Sequence, residues 1–131
     1  HYHVIGLLLE ARGYRAQAVS AFQRSLGSPN SGFTRTNYEL AGLLLQLNRP
    51  RDAIPTLQAA LRGGLEGGNL YITLPELEGR LAQAWEAAGK KDSAAVHYRR
   101  VVQAWQRADP DVGVRRAVAE QALQRLGESP R

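Results

Sequence analysis

A few clusters of residues could do chemistry if the fold brought them together. His1 and His3 could hold a metal ion if a third ligand joined them, because imidazole is a common zinc ligand. Glu76 and Glu78 could form an acid–base pair, but residues two apart on a helix face different directions. The glycines between 63 and 68 could wrap a phosphate, but no lysine follows them and no buried strand precedes them. The sequence therefore predicts no catalytic residue, no metal site and no cofactor.

The composition is that of one globular domain. The chain has 131 residues, 44% of them hydrophobic, and no apolar run approaches the ~20 residues of a membrane span. It has no cysteine, which excludes disulfides and thiolate metal sites. It has no methionine, even at position 1, so we interpret it as a fragment or a processed form. A cytoplasmic location is favoured, with an exported form left open.

The charge is basic but spread along the chain. The net charge of +5 divides into +2 over residues 1–45, zero over 46–90 and +3 over 91–131. Arg99–Arg100 and Arg115–Arg116 could lie near each other on the last two helices. No aromatic residues interleave with them to stack bases, so nucleic acid is not the expected partner.

Apolar residues recur with helical period in every long segment, and no segment alternates long enough to predict a sheet. In the second half the predicted inward faces are Leu74, Leu77, Leu81, Ala84 and Ala88; then Ala94, Tyr98, Val101, Val102 and Trp105; then Val114, Val118, Ala122 and Leu126. His97 is expected to pack, partly exposed, beside Tyr98. Seven helices are predicted, near 2–12, 15–26, 34–47, 50–62, 74–88, 91–107 and 111–126.

Local signals mark the ends of these helices. Gly13, Asn48 and Gly89 fall between periodic runs, where a tight turn needs a residue that tolerates positive φ. Thr73 and Glu76 have the spacing of a capping box, which opens a helix. Similar signals are expected to open and close the last helix: Asp109–Pro110 and Gly127.

One ten-residue frame occurs three times, at 13–22, 48–57 and 89–98. It runs glycine or asparagine, four residues, alanine, three residues, then a large apolar residue. Its alanines, Ala18, Ala53 and Ala94, are 35 and 41 residues apart. A second pattern precedes each frame: Tyr2-x-x-Ile5-Gly6-x-x-Leu9, Asn37-x-x-Leu40-Ala41-x-x-Leu44 and Glu78-x-x-Leu81-Ala82-x-x-Trp85. A repeated unit of this length predicts stacked helix hairpins, each too apolar on one side to stand alone.

This double pattern resembles the tetratricopeptide repeat family over residues 1–107. The resemblance implies an all-α fold, a right-handed α-solenoid of three antiparallel hairpins plus a final helix. The expected parts of this single domain are repeat one (1–30), repeat two (34–62), a glycine-rich linker (63–72), repeat three (73–107) and a capping helix (110–127). Small residues such as Gly6 and Ala18 are expected where the two helices of a hairpin approach closely. Pro55 departs from the pattern and should bend its helix.

The family resemblance also implies a function. Tetratricopeptide hairpins line a concave surface with their first helices, and that surface holds a peptide or helix of a partner protein. The residues at the corresponding positions are His3, Leu7, Glu10, Arg35, Tyr38, Glu39, Gln46, Arg80, Gln83 and Glu86. The carboxylate clamp of co-chaperone members is not expected, because only Arg80 fits it and the acidic residues Glu39 and Glu76 occupy other clamp positions.

An alternative function is self-assembly. The first helix carries more apolar surface than its hairpin partner can easily cover: Tyr2, Val4, Ile5, Leu7, Leu8 and Leu9. If that surface packs head to tail on another copy, the product is an oligomer or an open filament.

Overall fold

A computed structural model describes residues 2–26, 33–62, 72–106 and 110–128, with the side chains of Phe33 and of 110–115 outside that description. In those ranges every regular element is an α-helix, which confirms the all-α class. None of these helices is both long enough and apolar enough to cross a bilayer. The helices are α1 Tyr2–Ala11, α2 Arg15–Leu26, α3 Phe33–Gln46, α4 Pro50–Arg62, α5 Leu74–Ala87, α6 Lys91–Ala104 and α7 Pro110–Arg125.

The chain divides into two compact units, which meet in sequence between Ile72 and Thr73. In the first unit α1 pairs with α2, α3 pairs with α4, and α2 also packs against α3. In the second unit α5 pairs with α6, and α7 packs against α6. Both units therefore contain helix pairs, and a tight turn joins the two helices of the pairs α1–α2, α3–α4 and α5–α6.

The predicted turn signals and the capping box of α5 are present, whereas Asp109, the predicted cap of the last helix, lies outside the described residues. Gly13 and Gly89 have φ values of 82° and 79°, and Asn48, which is not a glycine, also has a positive φ, of 57°. Before α5 the Thr73 side chain accepts from the amide of Glu76 at 3.3 Å, and the Thr73 amide donates to the Glu76 carboxylate at 2.8 Å. These predictions are correct because each one depends on atoms only a few residues apart along the chain.

Pro55 does not interrupt its helix. The helix α4 continues from Pro50 to Arg62 with Pro55 inside it. Proline removes one amide donor, which would leave the carbonyl four residues earlier without its helical partner. Both Pro55 and Arg51 are exposed, so water can satisfy that carbonyl.

Small residues let the paired helices approach closely. Gly6 is the buried residue of α1, and a Cβ added to it would come within 2.6 Å of the Phe22 ring on α2. Ala41 and Ala82, the matching residues of α3 and α5, are fully buried, as is the alanine of each repeated frame. The prediction of a close approach at these positions is confirmed for Gly6 by its contact with Phe22 of α2.

The inward face of α7 differs from the predicted one. Ala119, Ala122 and Leu123 are buried in the core of the second unit, whereas Val118 is 55% exposed. The predicted stripe is therefore wrong at Val118, next to the alanine that packs against α6. Leu74 in α5 is also exposed, although the sequence placed it on the inward face.

Candidate functional site

A hydrogen bond links α1 and α3, which are the first helices of the two helix pairs in the first unit. His3 of α1 and Thr36 of α3 share it, with 3.0 Å between Nδ1 and Oγ1. The His3 ring also lies against Phe22, with 5.5 Å between ring centroids, and Thr36 is buried. His3 is therefore a packed side chain that ties α1 to α3.

The charge around His3 comes from α3. Burial and the neighbouring Arg35 guanidinium lower the pKa of His3, and the Glu39 carboxylate opposes that effect. Both effects that lower the pKa favour the neutral imidazole of His3. Within the described ranges no three His, Asp or Glu side chains come together as a cation site, and His1 lies outside those ranges.

The other residues predicted for this face of the first unit differ in exposure. Leu7, Glu10, Tyr38 and Glu39 are half-buried, and Arg35 is exposed. Gln46, at the end of α3, accepts a hydrogen bond of 3.0 Å from Nε of Arg15 on α2. Of the predicted residues in this unit, the structure brings Arg35 and Glu39 within electrostatic reach of His3.

In the second unit, the predicted residue Glu86 binds groups of its own chain. Arg125 of α7 donates to both of its carboxylate oxygens, at 2.8 and 3.1 Å, and the Tyr98 hydroxyl donates at 2.8 Å. The hydrogen bond from Arg125 lowers the pKa of Glu86, while burial and the nearby carboxylate raise the pKa of Tyr98. Glu86 thus ties α5 to α6 and α7. Arg80 is half-buried and Gln83 is exposed.

A second acidic residue of α5 forms a cluster that the sequence did not predict. Glu78 is only 6% exposed, and its carboxylate accepts from His97 Nδ1 at 2.5 Å and from Arg100 at 3.3 Å. Burial alone would raise the pKa of Glu78, but the bonds and charges of His97 and Arg100 outweigh it and the pKa is lowered. Two features of the sequence could have predicted this cluster. One is an acid at an inward position of α5, and the other is a histidine and an arginine three residues apart on the next helix.

A pocket of about 380 Å³ opens beside this cluster, between the first turn of α5 and the last turn of α6. Its lining consists of Leu74, Pro75, Glu78, Arg100, Gln103 and Ala104. The one acid in this lining already accepts a hydrogen bond on each oxygen. The cluster therefore has the character of a buried structural ion pair with one exposed partner, Arg100.

The arginine pairs that raised the question of nucleic acid are largely bound to acids. Arg99 contacts Glu128 at 2.8 Å, Arg100 contacts Glu78, and Arg116 contacts Glu120 at 3.0 Å. Arg115 belongs to the residues whose side chains are not described. These ion pairs neutralise much of the local positive charge, which reduces the electrostatic attraction for a phosphate backbone.

Comparison with known proteins gives no match: no family model, no curated protein and no solved structure is significantly similar to this chain.

Proposed function

We propose that this chain is a non-catalytic protein–protein interaction scaffold of the tetratricopeptide kind. Its three hairpins and final helix would form a right-handed solenoid. A peptide or helix of a partner would lie on the concave face that the first helices line. The internal repeat and the helix pairing within each unit support this proposal.

The observation that carries the proposal is the bond between His3 and Thr36. It joins α1 to α3, the first helices of two successive repeats, and a binding surface that spans both helices would need such a link. Arg35 and Glu39 flank that bond from α3. A surface fixed in this way loses little conformational entropy when a ligand binds.

The side chains on this surface indicate what kind of partner it would take. Arg35 is a donor for carboxylates and backbone carbonyls, Glu39 is an acceptor, and Tyr38 and Leu7 add partly buried apolar area. Such a mixture suits a peptide with both polar and apolar side chains. It does not suit a uniformly charged polymer such as a nucleic acid. Arg99, Arg100 and Arg116 are paired with acids, so they attract phosphate groups less, which also favours a protein partner.

The test starts from peptides selected on the wild-type chain from a random displayed library. Their binding would be mapped by amide chemical shifts and measured by calorimetry. We expect the largest shifts in α1 and α3, and a loss of about tenfold or more in affinity for Arg35→Glu, because a hydrogen bond to a charged group contributes about 1.5–3 kcal/mol.

Arg51→Glu is the matched control, since Arg51 is an exposed arginine on the second helix α4. It makes the same change of charge away from the proposed surface and should leave affinity within about twofold of wild type. Equal losses for both variants, or shifts confined to α2 and α4, would refute a binding surface on the first helices.

A further inference from the structure

The two ring nitrogens of His3 have different surroundings. Nδ1 shares its hydrogen bond with Oγ1 of Thr36, whereas Nε2 is buried and, within the described part of the chain, makes no hydrogen bond. A neutral imidazole has a single N–H, which Nδ1 can donate to Thr36. An imidazolium has two, and the N–H on Nε2 would be a buried donor without an acceptor. The site therefore fits the neutral ring better than the charged one.

The charges that act on His3 from its own end of the chain and from α3 give the same preference. Burial and Arg35 lower its pKa, Glu39 opposes them, and the amino group at position 1 acts in the same direction as Arg35. The other charged residue of α1 is Glu10, two helical turns away. The net effect on the pKa of His3 is a decrease, so the acids on these two helices do not compensate the burial.

The helix α2 offers this imidazole a ring and no acid. Phe22 lies 5.5 Å from it between ring centroids, and α2 has no acidic residue. Its two charged residues have contacts of their own: Arg15 donates to a glutamine at the end of α3, and Arg24 lies over the Tyr2 ring. An imidazolium would therefore find no counter-charge on α2.

We propose that protonation of His3 loosens the docking of α1 on α2 and α3. The added proton would create a charged donor in a buried place, and movement of α1 away from its neighbours would expose that donor to water. The helix α1 packs mainly against α2, so it has few contacts with α3 besides the bond between His3 and Thr36. The same bond that joins the two helices is thus the contact that acid would weaken.

The effect has a defined pH range. In an undocked α1 the imidazole is exposed and has the ordinary pKa of 6.5, whereas the pKa of docked His3 is lower. The undocked form binds protons more readily, so docking should be strongest well above pH 6.5 and should weaken as the pH falls through that value. At about pH 5 this linkage can favour undocking by at most about thirtyfold, and we expect about tenfold.

Amide exchange in α1 tests this step without any peptide. Between about pH 7.5 and pH 5, the protection of wild-type α1, corrected for intrinsic exchange rates, should fall about tenfold relative to α4. In His3→Asn it should not change with pH, because the amide can still bond to Thr36 but takes up no proton. Where asparagine leaves α1 unprotected at both pH values, His3→Phe, which keeps a ring against Phe22, replaces it.

His1→Asn is the matched control, since it removes a histidine two positions away. It should keep the pH dependence of the wild type. Three results would overturn the proposal: constant protection in wild type, the same pH dependence in the His3 variant as in wild type, or loss of the dependence in His1→Asn.

A consequence for peptide binding rests on the proposed function. If a partner peptide lies across α1 and α3, a selected peptide without histidine should bind wild type several-fold more weakly at about pH 5 than at pH 7.5. Its affinity for His3→Asn, whatever the value, should be equal at the two pH values. An equal fall for both proteins would refute control of binding through His3. Peptide shifts confined to α2 and α4 would refute the proposed surface, while the exchange result for α1 would still stand.

Discussion

Glu78 should be the most sensitive single charge in the second unit. Replacing it with glutamine keeps the shape and one oxygen acceptor but removes the charge that binds His97 and Arg100. A hydrogen bond to a charged group contributes about 1.5–3 kcal/mol, and Glu78 is 6% exposed, so solvent screens the His97 bond little. The Arg100 contact is 3.3 Å long with an arginine side chain 54% exposed, and it adds at most about 0.5 kcal/mol. We expect Glu78→Gln to lower the free energy of unfolding by about 2 kcal/mol at pH 7.

The loss of stability caused by Glu78→Gln should become smaller as the pH falls. The pKa of Glu78 is lowered in the folded chain, so its charge stabilises the fold above the ordinary value of 4.5 and stops doing so as pH falls through the lowered pKa. The difference between wild type and Glu78→Gln should therefore be full at pH 7 and shrink below about pH 4.5.

Urea unfolding followed by circular dichroism measures both quantities. Asp52→Asn is the control, because Asp52 forms an exposed ion pair with Arg49 at 2.9 Å and should cost only about 0.5 kcal/mol. The reasoning fails if the two variants lose equal stability, or if the loss in Glu78→Gln is the same at pH 7 and pH 4.

Three further predictions concern backbone and packing. Gly6→Ala should destabilise the fold by about 1–3 kcal/mol, because the added Cβ would meet the Phe22 ring at 2.6 Å. Gly79→Ala should stabilise it by about 0.5–1 kcal/mol, because the added Cβ would lie 3.7 Å from its nearest contact. Thermal unfolding distinguishes the two variants. Asn48→Ala should cost about 1 kcal/mol at φ 57° and Asn48→Gly should not, as chemical denaturation can show. Arg125→Ala should speed amide exchange in α7, measured by mass spectrometry; unchanged exchange would contradict the role of its bond to Glu86.

The sequence predicted the helices well because their ends depend on local chemistry. The turn at Asn48 and the capping box of Thr73 with Glu76 each involve atoms only a few residues apart. Such signals are present in the sequence whatever the rest of the chain does, so helix positions could be predicted before any tertiary contact was known.

Contacts between helices were harder to predict, because they depend on how one helix is rotated against another. Glu78 and His97 are 19 residues apart, and Glu86 and Arg125 are 39 apart. On α7, the predicted stripe passes through Val118, whereas the observed one passes through the next residue, Ala119. The stripe with the smaller residue packs inward, and Val118 remains exposed. A hydrophobic pattern alone does not distinguish two such stripes.

The division of the chain between Ile72 and Thr73 gives the two halves different optical signals. Both tryptophans, Trp85 and Trp105, belong to the second unit, so indole emission reports on that half alone, while backbone ellipticity reports on both. If the two signals change at the same denaturant concentration, the halves melt as one cooperative body. If they separate, each half is its own folding unit, and the order in which they melt follows directly from the two curves.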